Sequence, residues 1–203
     1  MAQIPNLAVK RDCAKARSPL ALRYGNKMNN KTIYILGELW ISAWNASVQH
    51  SALYKEGAWK NQRDEIDNFK RKVVDYIKNN LIPQYKEKIS ELRHLENIRN
   101  LIEYANKVDT SVLGENGYKY GVAQKLLNLA LKYYWCIGEI EEPPHCPVDK
   151  IIIDKTIYRG RNWTQIVAEK EYTEIIAAIK TLAEQDSCSI AQWELNKYAR
   201  RQA

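Results

Sequence analysis

The densest glycine cluster in the chain, Gly114, Gly117 and Gly121 within eight residues, opens onto a stretch rich in leucine, alanine and aromatic side chains. That stretch, GVAQKLLNLALKYYWCIG over residues 121–138, predicts a strong helix, with Gly138 suited to its C-terminal cap. The segment EIEEPPHCPVD comes next, and its three prolines exclude regular structure. Asp149 then stands where a side-chain oxygen caps a short helix over 150–155. Residues 109–155 therefore read as helix, glycine hairpin, helix, proline loop and an aspartate at a helix start.

The rest of the chain also carries helical periodicity. Residues 32–54 are apolar around much of the circumference, with Trp40 and Trp44 on one face, and predict a central helix. Residues 59–80 predict an amphipathic helix with Trp59, Ile66, Phe69, Val73, Val74 and Ile77 inward. Pro83 marks a boundary, and 84–95 and 97–108 give two further helices. Asn162 with Gln165 resembles a capping box opening a helix over 163–184, and SIAQWELNKYARR supplies a last one. Residues 1–30, with Pro5, Pro19 and Gly25, read as a partly irregular arm. No repeat or strand set is evident. The expectation is an all-α chain forming a single globular unit over 1–203.

Composition narrows the function classes. With 45% hydrophobic and 27% charged residues, the chain falls in the globular range rather than the disordered one. Six Trp and thirteen Tyr against one Phe favour half-buried rings with a polar edge, as in clefts and stacking surfaces. The net charge of +7 favours an anionic partner such as nucleic acid, with Lys10, Arg11, Lys15, Arg17, Arg200 and Arg201 towards the two ends. No apolar run approaches the roughly 20 residues that span a bilayer. The first residues lack the apolar core of a secretory signal, so a cytoplasmic protein is expected. Cys13, Cys136, Cys146 and Cys188 are scattered, without zinc or iron–sulfur spacing, and read as reduced thiols. His145 and Cys146 are adjacent and rarely both ligate one ion, so neither metal nor cofactor is expected.

Glycines at 114, 117 and 121 let a hairpin backbone approach another surface, and amides there and at the next helix start can bind a phosphate. Lys125 lies in the first turns of that helix, where the dipole disfavours an ammonium by about 0.3–1 kcal/mol. A lysine so placed is a better amine nucleophile.

These segments resemble the helix-hairpin-helix (HhH-GPD) DNA glycosylases, most of all the 8-oxoguanine glycosylases, including their compact archaeal form. GVAQK (Gly121–Lys125) resembles the segment bearing that family's catalytic lysine, and CPVD (Cys146–Asp149) the segment bearing its aspartate. The lysines at 125 and 132 on one helix also resemble the archaeal form.

The resemblance implies a two-lobed helical domain with a central cleft. It also implies a monomer acting on double-stranded DNA that carries a damaged or modified base. Lys125 would attack C1′ of a flipped nucleotide and form a Schiff base, and Asp149 would assist its deprotonation and offset charge on the sugar. Gly114, Gly117 and Gly121 would contact DNA, and Tyr133, Trp135 and Trp40 would line the base pocket, with Tyr134 and Trp44 nearby. Repair of 8-oxoguanine and excision of a hypermodified phage base, the latter a defence function, both fit. A non-catalytic DNA-binding helix-hairpin-helix protein is the alternative, and a helical protein-interaction domain a second one.

Overall fold

The computed structural model describes residues 29–198, and over them the protein is all-α. Asn29 Oδ1 accepts from the Thr32 amide at 2.9 Å and starts α1, Asn30–Val48. Its buried face, Leu36, Trp40, Ala43, Trp44 and Ser47, follows the helical repeat and packs along α5, Tyr120–Cys136. The helix stops short of residue 54 because His50 and Ala52 take left-handed backbone angles, φ 60° and 49°. That turn lays residues 53–55 beside the glycine loop. Lys55 N–H donates to the Val112 carbonyl, Gly114 N–H donates to the Leu53 carbonyl, and a single bridge pairs Tyr54 with Leu113.

The single amphipathic helix expected over 59–80 is broken. α2, Ala58–Asn61, is separated from α3, Arg63–Tyr76, by Gln62 in a non-helical conformation. Ile66, Phe69, Val73, Val74 and Ile77 are buried, but Trp59 is exposed and meets Tyr54 edge-on at 5.0 Å. Pro83 has no amide hydrogen to continue the ladder. The chain widens into a π turn at Ile77–Leu81 and tightens into a 3-10 turn at Ile82–Lys86, which sinks Leu81, Ile82 and Tyr85 into the core.

The two helices expected over 84–108 are one. Ser90 Oγ caps α4, Glu91–Val108, and no glycine or proline interrupts it. α5 takes the central place assigned by sequence to residues 32–54: Tyr120 to Asn128 are buried around the whole circumference, whereas α1 leaves Ile33, Tyr34 and Ile41 exposed. At its end Gly138, φ 76°, donates to the Trp135 carbonyl and Glu139 to that of Tyr134, the paired bonds of a glycine-terminated helix. Asp149 Oδ1 accepts from the Ile152 amide and caps α6, Lys150–Ile153. The helix expected over 163–184 is split. Asn162 caps only a 3-10 turn at Trp163–Gln165, and α7, Glu169–Gln185, begins afresh. There the Glu171 carboxylate accepts from the Val167 and Ala168 amides. Ser189 caps α8, Ile190–Lys197. No helix among the described residues is long and apolar enough to cross a membrane. The arm at 1–28, with Cys13 and its basic residues, and Arg200 and Arg201 lie outside the described residues.

Candidate active site

Two residues of the GVAQK segment build the site by close contact. Gly121 donates its amide to the Ile166 carbonyl at 2.9 Å, and a Cβ at this position would stand 2.1 Å from the Trp163 carbonyl oxygen. The missing side chain lets residues 163–166 lie directly against the start of α5. The Trp163 ring is thereby brought to 3.9 Å from Lys125 Nζ, a cation–π distance.

Gln124 ties down the proline loop. Its Oε1 accepts from the Val148 amide at 3.1 Å, and its Nε2 donates to the Val148 carbonyl at 2.8 Å and to the Gly121 carbonyl at 3.0 Å. One buried carboxamide thus substitutes for a strand partner and fixes the residue before Asp149.

The outcome is a cavity of about 360 Å³ lined by both Lys125 and Asp149. α1 contributes Ala46 and Gln49, and α5 adds Leu129, Lys132 and Tyr133. Trp163 and Tyr198 lie on the remaining walls. Among the described residues, Asp149 is the one carboxylate lining it, against Lys125, Lys132 and Lys150. Lys132 is held by a bidentate ion pair to Glu194 at 2.7 and 2.9 Å, in a place where Glu194 is 2% exposed, and its Nζ sits 4.8 Å from the Tyr198 ring. Burial pushes the Glu194 carboxyl up and Lys132 pulls it back, while the negative charge of Asp149 adds to the rise. Lys150 pairs with Asp154. A larger cavity of about 520 Å³ lies elsewhere, among Glu91, Glu141, Glu142 and Glu184. Its acidic lining disfavours a phosphate-bearing ligand.

The other sequence candidates are placed differently. Gly114 donates to the Leu53 carbonyl, Gly117 (φ 58°) to the Gly114 carbonyl, and Gly121 to Ile166, while the Tyr118 amide is taken by Asn106 Oδ1. The three glycine amides are committed inside the chain, so these glycines serve close packing and cannot cradle a phosphate through them. Of the aromatic candidates Tyr133 lines the cavity. Trp135 is half-buried outside it, and Trp40 is a core side chain whose indole N–H donates to Tyr134 O–H at 3.4 Å. Trp44 packs edge-on against Phe69.

The residues that sequence reasoning missed, Gln124, Trp163, Glu194 and Tyr198, share no spacing pattern with Lys125. Gln124 alone carried a signal, a carboxamide on a face otherwise destined for the core. His145 turns away from the cavity, with Nδ1 2.9 Å from Tyr172 O–H, and burial lowers its imidazole to about 4. Burial pushes the Cys146 thiol well up, which disfavours a thiolate nucleophile. No family model, curated protein or solved structure matches the chain.

Proposed function

We propose that the protein is a DNA glycosylase with AP-lyase activity, acting as a cytoplasmic monomer on duplex DNA with a damaged or modified base. The observation that carries the reading is that Lys125 and Asp149, 24 positions apart in sequence, line one basic cavity large enough to enclose a small organic group. In this reading the cavity is the central cleft between the helices before the glycine loop and those after it.

The Lys125 ammonium gives up a proton to Asp149, its lone pair forms a bond to C1′ as the glycosidic bond breaks, and the departing base takes that bond's electron pair and the proton from Asp149, which is a carboxylate again. Transfer of a proton from the attached nitrogen to O4′ breaks the C1′–O4′ bond and opens the sugar to a protonated Schiff base. Removal of a 2′ proton then forms a C2′–C3′ double bond as the 3′ phosphate leaves with the C3′–O electron pair. The Asp149 charge offsets the positive charge that develops on the sugar. Tyr133 and Trp163 offer ring faces to the extruded nucleotide, whose removal from the stack costs a few kcal/mol. The base is left as a class, damaged or hypermodified, the second giving a role in antiviral defence.

A duplex with one abasic site, incubated with borohydride, tests the reading without knowledge of the base. Wild type should form a covalent adduct that Lys125→Gln abolishes and Asp149→Asn reduces at least about 100-fold, the scale of a lost general base. Adduct formation that survives Lys125→Gln would overturn it. Duplex binding without any adduct would point to the non-catalytic DNA-binding alternative, which the committed glycine amides do not favour.

A further inference from the structure

The most exposed large apolar side chain among the described residues is Ile157, 87% accessible, on the turn that joins the Asp149-capped helix to Trp163. An isolated exposed isoleucine is ordinary. This one stands at the tip of a turn that the chain holds rigid. Thr156 Oγ1 donates to the Ile153 carbonyl and accepts from the Tyr158 amide. Arg159 and Arg161 amides donate to the Thr156 and Tyr158 carbonyls, and Asp154 Oδ1 accepts from the Gly160 amide at 3.0 Å. The isoleucine is thereby presented outward without further ordering.

Its surroundings are cationic. Lys150, Lys155, Arg159 and Arg161 are exposed along the segment against a single carboxylate, Asp154, which Lys150 already neutralises. Arg161 lies over the Tyr158 ring at 4.5 Å and within 4.0 Å of Glu174 on α7. Both ends of the turn are walls of the cavity, Asp149 and Lys150 on one side and Trp163 on the other.

We propose that residues 155–161 form a duplex-contacting finger, with Ile157 entering the base stack beside the extruded nucleotide and Arg159 and Lys155 meeting the flanking phosphates. The inference rests on the reading of the cavity as a nucleotide site and names the residue that would hold open the duplex. An apolar wedge partly unstacks a base step and bends the duplex, and phosphate contacts hold the protein in register while it does so. A protein partner would equally cover an isoleucine. Four cations against the two carboxylates they meet, Asp154 and Glu174, leave a positive excess beside the cavity, and that excess favours a polyanion.

The test uses the full chain and a duplex with a tetrahydrofuran abasic analogue flanked by 2-aminopurine, whose fluorescence reports unstacking. Wild type should brighten it, Ile157→Ala should abolish the rise, and Ile157→Met should restore most of it. Arg159→Gln should lower the slope of log affinity against log salt by about one contact. With a true abasic site and borohydride, Ile157→Ala should cut the ratio of duplex to single-strand trapping about tenfold, as expected for a lost wedge. Wild-type trapping with an unchanged ratio in Ile157→Ala would overturn the finger and leave the glycosylase reading standing. An Ile157-dependent fluorescence rise without trapping would support the finger and remove the lyase. Absence of duplex binding, or self-association lost in Ile157→Ala with no change on DNA, would overturn the finger.

Discussion

Lys125 Nζ lies 3.9 Å from the centre of the Trp163 ring, and the contact exists because Gly121, one helical turn earlier, has no side chain to hold the 163–166 segment away. A glycine chosen for its backbone in one element thus sets the partner of a lysine in the same helix.

Gly121→Ala puts a methyl group where only 2.1 Å separates it from a backbone oxygen, so the 163–166 segment must move. Overpacking of this kind destabilises by about 1–3 kcal/mol, which for a chain of this size lowers the melting temperature by roughly 2–12 °C. Differential scanning calorimetry measures the loss, and borohydride trapping should fall with it because Trp163 is displaced. A melting temperature equal to wild type would contradict the close contact.

Gln124→Leu keeps the volume and removes all four hydrogen bonds of the carboxamide, the long one from Asn128 included. The Val148 amide and carbonyl would be left buried without partners, at about 1–3 kcal/mol each. Urea denaturation should show a loss of about 2–6 kcal/mol, again from two orphaned groups. Gln124→Glu retains an acceptor for the Val148 amide and should lose both carbonyl bonds, to Val148 and to Gly121.

Glu194→Gln strips the counter-charge from Lys132 in a nearly water-free position, which costs about 3–5 kcal/mol for a buried pair. Replacing both members, Lys132→Met with Glu194→Leu, should recover most of that stability, because two desolvated charges go together. A double-mutant cycle in urea decides the point. Additive losses would mean that the pair is not coupled.

The two buried imidazoles, His94 and His145, set an acid limit. Burial lowers both, His145 to about 4, and His94 is lowered further by its neighbour His145, whose ring centre is 4.7 Å away. Each binds its proton more readily in the unfolded chain, near the ordinary value of about 6.5. Stability is therefore full above about pH 6.5 and falls as pH drops towards 4. From pH 6.5 to 5 His145 alone accounts for about 2 kcal/mol, at 1.36 kcal/mol per pH unit. His145→Gln should flatten the dependence of unfolding free energy on pH in that window by about one proton.

Of the helix caps, Asp149 and Gly138 were legible in the sequence, because one side chain or one glycine decides them locally, whereas Ser90 fell inside the helix expected over 84–95 and Asn29 and Ser189 were not assigned. In the structure Asn29, Ser90, Asp149 and Ser189 each accept from the amide three residues on, and Gly138 closes α5. Breaks caused by competition were not legible. Residues 163–168 carry a capping pattern for a long helix, yet the Ile166 carbonyl is claimed by Gly121 and the Val167 and Ala168 amides by Glu171. Trp59 fits an inward helical stripe, but the break at Gln62 rotates it to the surface.

Local sequence determined the all-helical character, the two caps that bracket the proline loop, and the residue types of a lysine and an aspartate held 24 positions apart. Periodicity and capping act over one or two turns, so the chain carries them in any context. The tertiary structure alone decided that both side chains line one cavity, that Trp163 rather than Trp40 stands beside Lys125, and that the glycine amides turn inward. Those outcomes depend on which distant backbone groups satisfy one another once α5 is buried. Hydrogen bonds such as Gln124 to Val148 and Gly121 to Ile166 form between segments that have no local reason to meet.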